Sequence, residues 1–270
     1  MDTTVVSTIQ SLVPARDAFT VYIGFDASNK SQELAFEICR RSIIRHASQP
    51  VEVRQLIKRT LQARGDFKRN QIDGSTEFTY TRFLVAHLNG YKGWALFVDS
   101  DFLWTNDIWK VFDYIKEDPG KAVYCVKHNI AETDSMKMNG LVQANYPKKN
   151  WSSMMVFNCE HPDCKNINPD SVATQTPAWL HRMMWTTDDQ IGELPHTFNY
   201  LIGYYHDMSY TNLPIAIHAT DAGFWHPTQR LPEFTDLWAA YCSLEELDQI
   251  VAEREEMRKD MQKRGLTPIP

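Results

Sequence analysis

No run of apolar residues in this 270-residue chain approaches the roughly 20 that a membrane-spanning helix needs. The opening stretch, MDTTVVSTIQSLVPARDAFT, lacks both a basic start and a continuous apolar segment, so it does not read as a secretory leader. Clustered basic charge is missing too. The 28 Lys and Arg face 34 Asp and Glu, for a net charge of −6. That is a poor surface for duplex nucleic acid, whose phosphates must be met by concentrated positive charge, although a local basic pocket for a diphosphate stays open. Cysteine is scarce and odd in number: Cys39, Cys125, Cys159, Cys164 and Cys242 sit mostly inside apolar runs. This is the usage of a reducing cytosol rather than of a disulfide framework. CEHPDC (159–164) offers Cys, His and Cys but no second ligand pair at zinc spacing, so a turn after a strand is the better reading. There is no internal repeat and no low-complexity linker. The expectation is a soluble, cytoplasmic protein without a nucleic-acid partner; a peripheral position at a membrane surface is left open.

What is present is enough apolar material, 43% of residues against 23% charged, to bury a sizeable core in one domain or two closely packed lobes. AFTVYIGFD (18–26) is a short β-rich run ending in Asp26. SQELAFEICRRSIIRHA (31–47) carries an apolar stripe at helical spacing, with Ser31 as its cap, and VEVRQLI (51–57) alternates as a second strand. Strand, helix and strand within roughly 40 residues predict a βαβ unit and hence a parallel sheet. TEFTYTRFLVAHLNG (76–90) predicts a helix closed by Gly90, a residue suited to the left-handed position after a helix. KAVYCVKH and SSMMVFNC predict strands around a long polar segment (129–151) with the length of a lid. PDSVATQTPAWLHRMM predicts helix, most clearly in its second half, and LPIAIHATDAGFWHP predicts a strand running into His218. SLEELDQIVAEREEMRKDMQKRG predicts a terminal helix opened by a Ser243–Glu246 capping box. Its thin apolar seam fits solvated docking on the body, with a homodimer contact or a membrane-surface helix as the other readings. Aromatic residues, at 12%, serve a large core or a carbohydrate subsite equally well.

The chemistry concentrates in WALFVDSDFLW (94–104). WALFV is too short for a helix and apolar on both faces, the pattern of a central parallel strand. It ends in Asp99-Ser100-Asp101, and in open α/β sheets ligands gather beyond the carboxyl ends of strands. Two carboxylates one residue apart can each give an oxygen to one Mg²⁺ or Mn²⁺ and leave the rest of the shell for a diphosphate. An imidazole such as His218 would complete the set and move the preference toward Mn²⁺.

With these residues in view, the chain resembles the GT-A fold glycosyltransferases, and among them glycosyltransferase family 8. VYIGFDASNKSQELAFEICRRSIIRHA is similar to that family's opening strand and helix. TYTRFLVAHL…GWALFVDSDFLWTNDIWKVF resembles its Arg-bearing helix, strand and D-x-D, SSMMVFNCEH its strand ending in Asn, TTDDQIGEL its Asp-Gln segment and AIHATDAGFW its late His motif. The resemblance implies an α/β Rossmann-like fold with a mostly parallel, mixed sheet. It implies an N-terminal extension (1–18), a single catalytic domain (19–240, divided into a nucleotide-binding half, 19–104, and an acceptor-side half, 105–240) and a C-terminal helix (243–264). It implies transfer of a sugar from a nucleotide-sugar donor, UDP first and GDP second, to a glycan or lipid-linked acceptor, with retention. Asp99, Asp101 and His218 would hold Mn²⁺ or Mg²⁺. Asp26 would lie by the base, Arg82 near the diphosphate, and Ser100 and Asn158 within the donor site. Gln190 would stand near the anomeric carbon with Asp188 and Asp189 beside it. One departure is visible: where the family has H-x-x-G-x-x-K-P-W, this chain has Phe224 and Trp225 and no lysine. Arg230, or a lysine of the 137–149 stretch, could take its place, and an inverting course would call on Asp188 or Asp221 as base. Two other classes compete. A D-x-D phosphatase would use Asp99 as nucleophile, and a transferase-like scaffold would bind nucleotide or glycan without turnover.

Overall fold

The computed structural model describes residues 19–28, 31–70, 74–129, 148–220, 223–225 and 233–264. The 1–18 extension, most of the 129–147 stretch, Asp221 and Arg230 lie outside the described residues. The βαβ opening is present as β1 (Thr20–Phe25), α1 (Ser31–His46) and β2 (Glu52–Ile57), with β1 and β2 parallel. A short α2 (Lys58–Arg64) follows and ends on Gly65 at φ 79°. The helix expected over 76–90 is shorter than its apolar spacing predicts. Only a 3₁₀ turn (Thr81–Leu84) and α3 (Val85–Leu88) form, because the preceding residues are taken up by side-chain turns: Thr79 Oγ1 accepts from the Thr76 amide. Gly90 does take the left-handed conformation, at φ 66°.

WALFV is β3 (Trp94–Val98), buried along its whole length. After the aspartate turn the chain enters β4 (Phe102–Trp104), then α4 (Val111–Ile115), β5 (Val123–Val126) and β6 (Met154–Asn158). PDSVATQTPAWLHRMM forms two helices, α5 (Pro169–Thr174) and α6 (Pro177–His181). Asn168 and Thr176 cap them, each followed by a proline at the first helical position, where the missing N–H is no loss. Then come β7 (Ile191–Leu194), β8 (Tyr200–Leu201), β9 (Ala216–His218), α7 (Thr235–Ala239) and α8 (Leu244–Lys263).

The strands form a six-stranded sheet in the order β2-β1-β3-β6-β5-β7 and a three-stranded sheet in the order β4-β9-β8. In the large sheet only β6 runs against the others: it is antiparallel to β3 and to β5, while β1 and β3, and β5 and β7, are parallel pairs. Side chains alternate across the sheet, Phe97 and Phe157 into one core, Leu96, Val98 and Val156 into a second. A third core, around Leu103, Tyr200, Ile217 and Trp238, joins the small sheet to α1, α7 and α8. α8 opens with the Ser243–Glu246 box and buries Ile250; Arg41 of α1 holds Glu246 at 2.8 Å. This is the solvated docking allowed by its thin apolar seam. CEHPDC is a turn: Cys159 and Cys164 are buried, and the His161 ring accepts from the Asp163 amide to start a 3₁₀ helix.

Candidate metal centre

The carboxyl ends of β1 and β3 share one edge of the large sheet, since Ile23 is level with Val98. Asp99 follows β3 there, and its amide donates to the Ser153 carbonyl at 2.9 Å. The chain turns through Ser100, whose hydroxyl is buried against Gln32 of α1 at 2.5 Å, and leaves Asp101 at the entrance to β4. Antiparallel pairing of β4 with β9 sets Phe102 opposite His218. The Ala219 amide donates to the Asp101 carbonyl at 3.0 Å, and the His218 ring stacks on Phe102 with centroids 4.3 Å apart. Two sheets thus deliver three donors to one point: atoms of Asp99, Asp101 and His218 all lie within 4.8 Å of one another.

The tautomer of His218 follows from its neighbours. The Ser153 hydroxyl donates to the Asn150 carbonyl at 2.7 Å, so it accepts from Asn199 Nδ2 at 2.8 Å. That turns Asn199 Oδ1 to His218 Nδ1 at 2.8 Å, which must then carry the hydrogen. The other nitrogen, Nε2, presents a lone pair 3.3 Å from Asp101 Oδ1. In the neutral ring, two acceptors then face each other at that distance with no proton between them. Asp99 Oδ1 and Asp101 Oδ1 are also buried and have no hydrogen-bond partner among the described residues. Unpartnered buried carboxylate oxygens are expensive, and a divalent cation among them removes the expense at all three donors. Hard oxygens with one imidazole held by an outer hydrogen bond are the donor set of such a site.

Among the described residues, Arg82 supplies a fixed positive charge beside the donors. Its side chain is buried, with its guanidinium over Phe97 (4.9 Å) and Phe78 (5.3 Å). It donates to the Phe78 and Ser152 carbonyls at 3.2 and 2.9 Å. Nη1 is 3.1 Å from Asp99 Oδ1, close enough for attraction but not aligned as a donor to it. Burial dominates Asp99 all the same: it pushes the carboxyl up to about 6, with Arg82 pulling down and Asp101 adding to the rise. Asp26, one residue past β1, is buried at the same edge. Its two oxygens accept from the Ser28 amide and hydroxyl and from the Glu77 amide, tying the β1 loop to the segment that carries Arg82.

The remaining expected residues fall elsewhere, for a reason of strand direction. β6 is antiparallel to β3, so Asn158 is level with Trp94, the start of β3. It is separated from Asp99 by five residues of strand, on the order of 16 Å. The end of β6 that meets Asp99 is its beginning, at Ser153. β7 is parallel to β5, whose Val123 is level with Phe157. Gln190, just before β7, therefore lies at that same far edge, with its carbonyl accepting from Ala122. Asp189 is fully exposed, and hydrogen bonds from Thr187 and Gln190 hold its carboxyl below the ordinary value, the opposite of what a proton acceptor needs. Asp188 pairs with Lys148. Lys148 also donates to the Arg182 carbonyl, so it does not stand in for the missing lysine. Asn158, Asp188, Asp189 and Gln190 are not brought to the cation site, and Ser100 spends its hydroxyl on Gln32. Asn199, Ser153 and Gln32, which position the donors, carried no signal in the sequence, because each acts through a partner at least 19 residues away.

The fold and the three-donor cluster define a GT-A protein with a candidate divalent-cation site. The glycosyltransferase GlyE of Streptococcus pneumoniae TIGR4 superposes with TM-score 0.54 at 14% identity, covering 90% of this chain and 64% of that one. The bifunctional glycosyltransferase WbbM gives 0.55 at 17%, over 88% and 52%. An active-site mutant of LgtC gives 0.50 at 10%, over 82% and 94%. The chain thus spans less than two thirds of GlyE and WbbM, and what it shares with all three is the fold. No protein-family model matches. In sequence, Protein CDI of Arabidopsis thaliana is 41% identical over 224 residues, 82% of this chain and 84% of that protein. The chain belongs to the Protein CDI family.

Proposed function

We propose that this protein is a metal-dependent glycosyltransferase, moving a sugar from a nucleoside diphosphate donor to a hydroxyl of a glycan or glycolipid. The observation that carries the reading is the pair of buried carboxylate oxygens, neither with a hydrogen-bond partner among the described residues, gathered with an imidazole whose other nitrogen is held by Asn199. Asp99, Asp101 and His218 would hold the ion, with Mn²⁺ favoured by the imidazole. Bound there, a divalent cation neutralises charge on a departing diphosphate. The chain's own groups do the rest. Arg82 adds a permanent positive charge beside Asp99, Asn199 keeps the His218 lone pair turned inward, and Asp26 braces the loop where the base would lie. UDP as carrier and retention of configuration rest on the resemblance to glycosyltransferase family 8. The fold shared with GlyE and LgtC supports the class.

The test is thermal denaturation with a panel of nucleoside diphosphates, each with Mn²⁺ or with EDTA, on wild type and Asp101→Ala. One diphosphate at a hundred times its Kd should stabilise by roughly 2 to 3 kcal/mol, and the gain should vanish on chelation and in the variant. No Mn²⁺-dependent shift with any diphosphate would sink the reading. The position of Gln190 and its aspartates at the far sheet edge favours a second reading, a binding protein without turnover. Diphosphate binding with no consumption of any nucleotide sugar would select it.

A further inference from the structure

β5 and β7 run parallel to β3, so their carboxyl ends lie on the same sheet edge as Asp99. There a cavity of about 400 Å³ opens, lined by Tyr114, Lys127, Glu193, Pro195, His196 and Tyr205. That is the volume of a small-ligand site. It is separate from the three donors but joined to them by the chain. Leu201 is level with His218 across β8 and β9, and the Tyr205 amide donates back to the Leu201 carbonyl at 3.1 Å. The turn after β8 therefore fixes Tyr205 relative to His218.

The aromatic wall is held from several sides. The Tyr205 hydroxyl and His128 Nδ1 are 2.8 Å apart, and the Tyr205 ring packs at 5.0 Å on His196 and 5.6 Å on Tyr200. His196 is in turn held by Asp207 at 2.8 Å. His128 is 8% exposed, and its Nε2 is buried without a hydrogen-bond partner among the described residues. A platform fixed in this way meets a ligand without losing ring freedom on binding.

The charges beside it decide the ligand. Lys127 and Glu193 both line the cavity; neither forms an ion pair with a described residue, and the Lys127 ammonium lies over the Trp151 ring, 5.9 Å from its centroid. A phosphate would gain from Lys127 and be repelled by Glu193; an amine would meet the reverse. A pyranose ring suits both, with its C–H face on Tyr205 and His196 and its hydroxyls donating to Glu193 and accepting from Lys127. We propose that this cavity is a subsite for a neutral, unphosphorylated sugar ring, the acceptor of the transfer reaction. Its role as acceptor site rests on the transferase reading; its binding of a neutral sugar does not.

Saturation-transfer NMR on the full chain tests it, with methyl glucoside, methyl galactoside, methyl mannoside and lactose as probes and with glucose 6-phosphate and glucosamine as charged controls. At least one neutral probe should bind saturably and more tightly than either control. Tyr205→Ala should weaken it about tenfold, the loss of one ring contact, while Tyr205→Phe keeps most of the binding. The Mn²⁺-diphosphate thermal shift, measured on the same samples, should be unchanged by either substitution, which also shows that the variants fold. No saturable neutral probe, a control binding as tightly, or unaltered binding in Tyr205→Ala would overturn the proposal. Sugar binding without any diphosphate shift would instead overturn the transferase reading and leave the subsite standing.

Discussion

Asp99 bears the largest electrostatic penalty at the site. Its carboxyl sits at about 6 because it is buried, despite Arg82 beside it, against roughly 3.9 in an unfolded chain. A raised carboxyl binds its proton more tightly when folded. The stability it contributes is therefore complete below about pH 4 and is lost as pH rises through about 6. His128, pushed down to about 3 by burial, works in the opposite sense, since its neutral form is the folded one and stability is lost as pH falls. The absolute melting temperature mixes the two. The increment produced by Mn²⁺ reports the ligands together, because a cation binds the ionised Asp99 carboxylate and a His218 nitrogen with its lone pair free. Calorimetry in Mn²⁺ and in EDTA, from about pH 5 to about pH 7.5, should show that increment growing with pH across the window set by Asp99. An increment independent of pH would mean that Asp99 is not a ligand.

At the scale of elements, the site depends on how the segment before Arg82 seats against β1. Phe78 lies over Gly24, so a Cβ at that glycine would stand 2.6 Å from the Phe78 ring. Phe78 in turn carries the Arg82 guanidinium on its face and on its carbonyl. Gly24→Ala should therefore destabilise by about 1 to 3 kcal/mol, as overpacking does. Urea denaturation checks this; a variant as stable as wild type would show that the ring yields freely. Strands were the readable elements, because short runs such as WALFV and VYIGF are apolar in a way no surface helix is. Helix lengths were less so. The 76–90 stripe was cut short by Thr76 and Thr79, and the 169–184 helix was divided where Thr176 caps a new start. These local hydrogen bonds compete with the helix but do not alter its apolar spacing.

On the scale of the molecule, the candidate centre lies at the seam of two sheets. Asp99 follows the last residue of β3 in the large one, Asp101 leads into β4 of the small one, and His218 ends its β9. An ion held by all three would clamp the sheets together. Hydrogen exchange should then slow, with Mn²⁺ relative to EDTA, at the Ala219 and Ile202 amides, which bond to the Asp101 and His218 carbonyls. The amides of β2, at the far side of the large sheet, should not change. Equal protection everywhere, or none, would place the ion outside the seam.

The sequence by itself determined the βαβ start, the buried strand that ends in Asp99-Ser100-Asp101, the strand that delivers His218 and the Ser243 cap of the last helix. Periodicity and capping chemistry record burial and chain reversal locally, and these features are local. Only the tertiary structure decided which end of each strand faces the site. An apolar run has the same pattern in either direction, so Asn158 and Gln190 fell at the far edge through the antiparallel course of β6 and the parallel course of β7. Tertiary packing likewise decided that Arg82 is buried against Asp99 and that Asn199 sets the His218 tautomer. Those are pairings between distant segments, whose energy depends on the burial and alignment that folding creates.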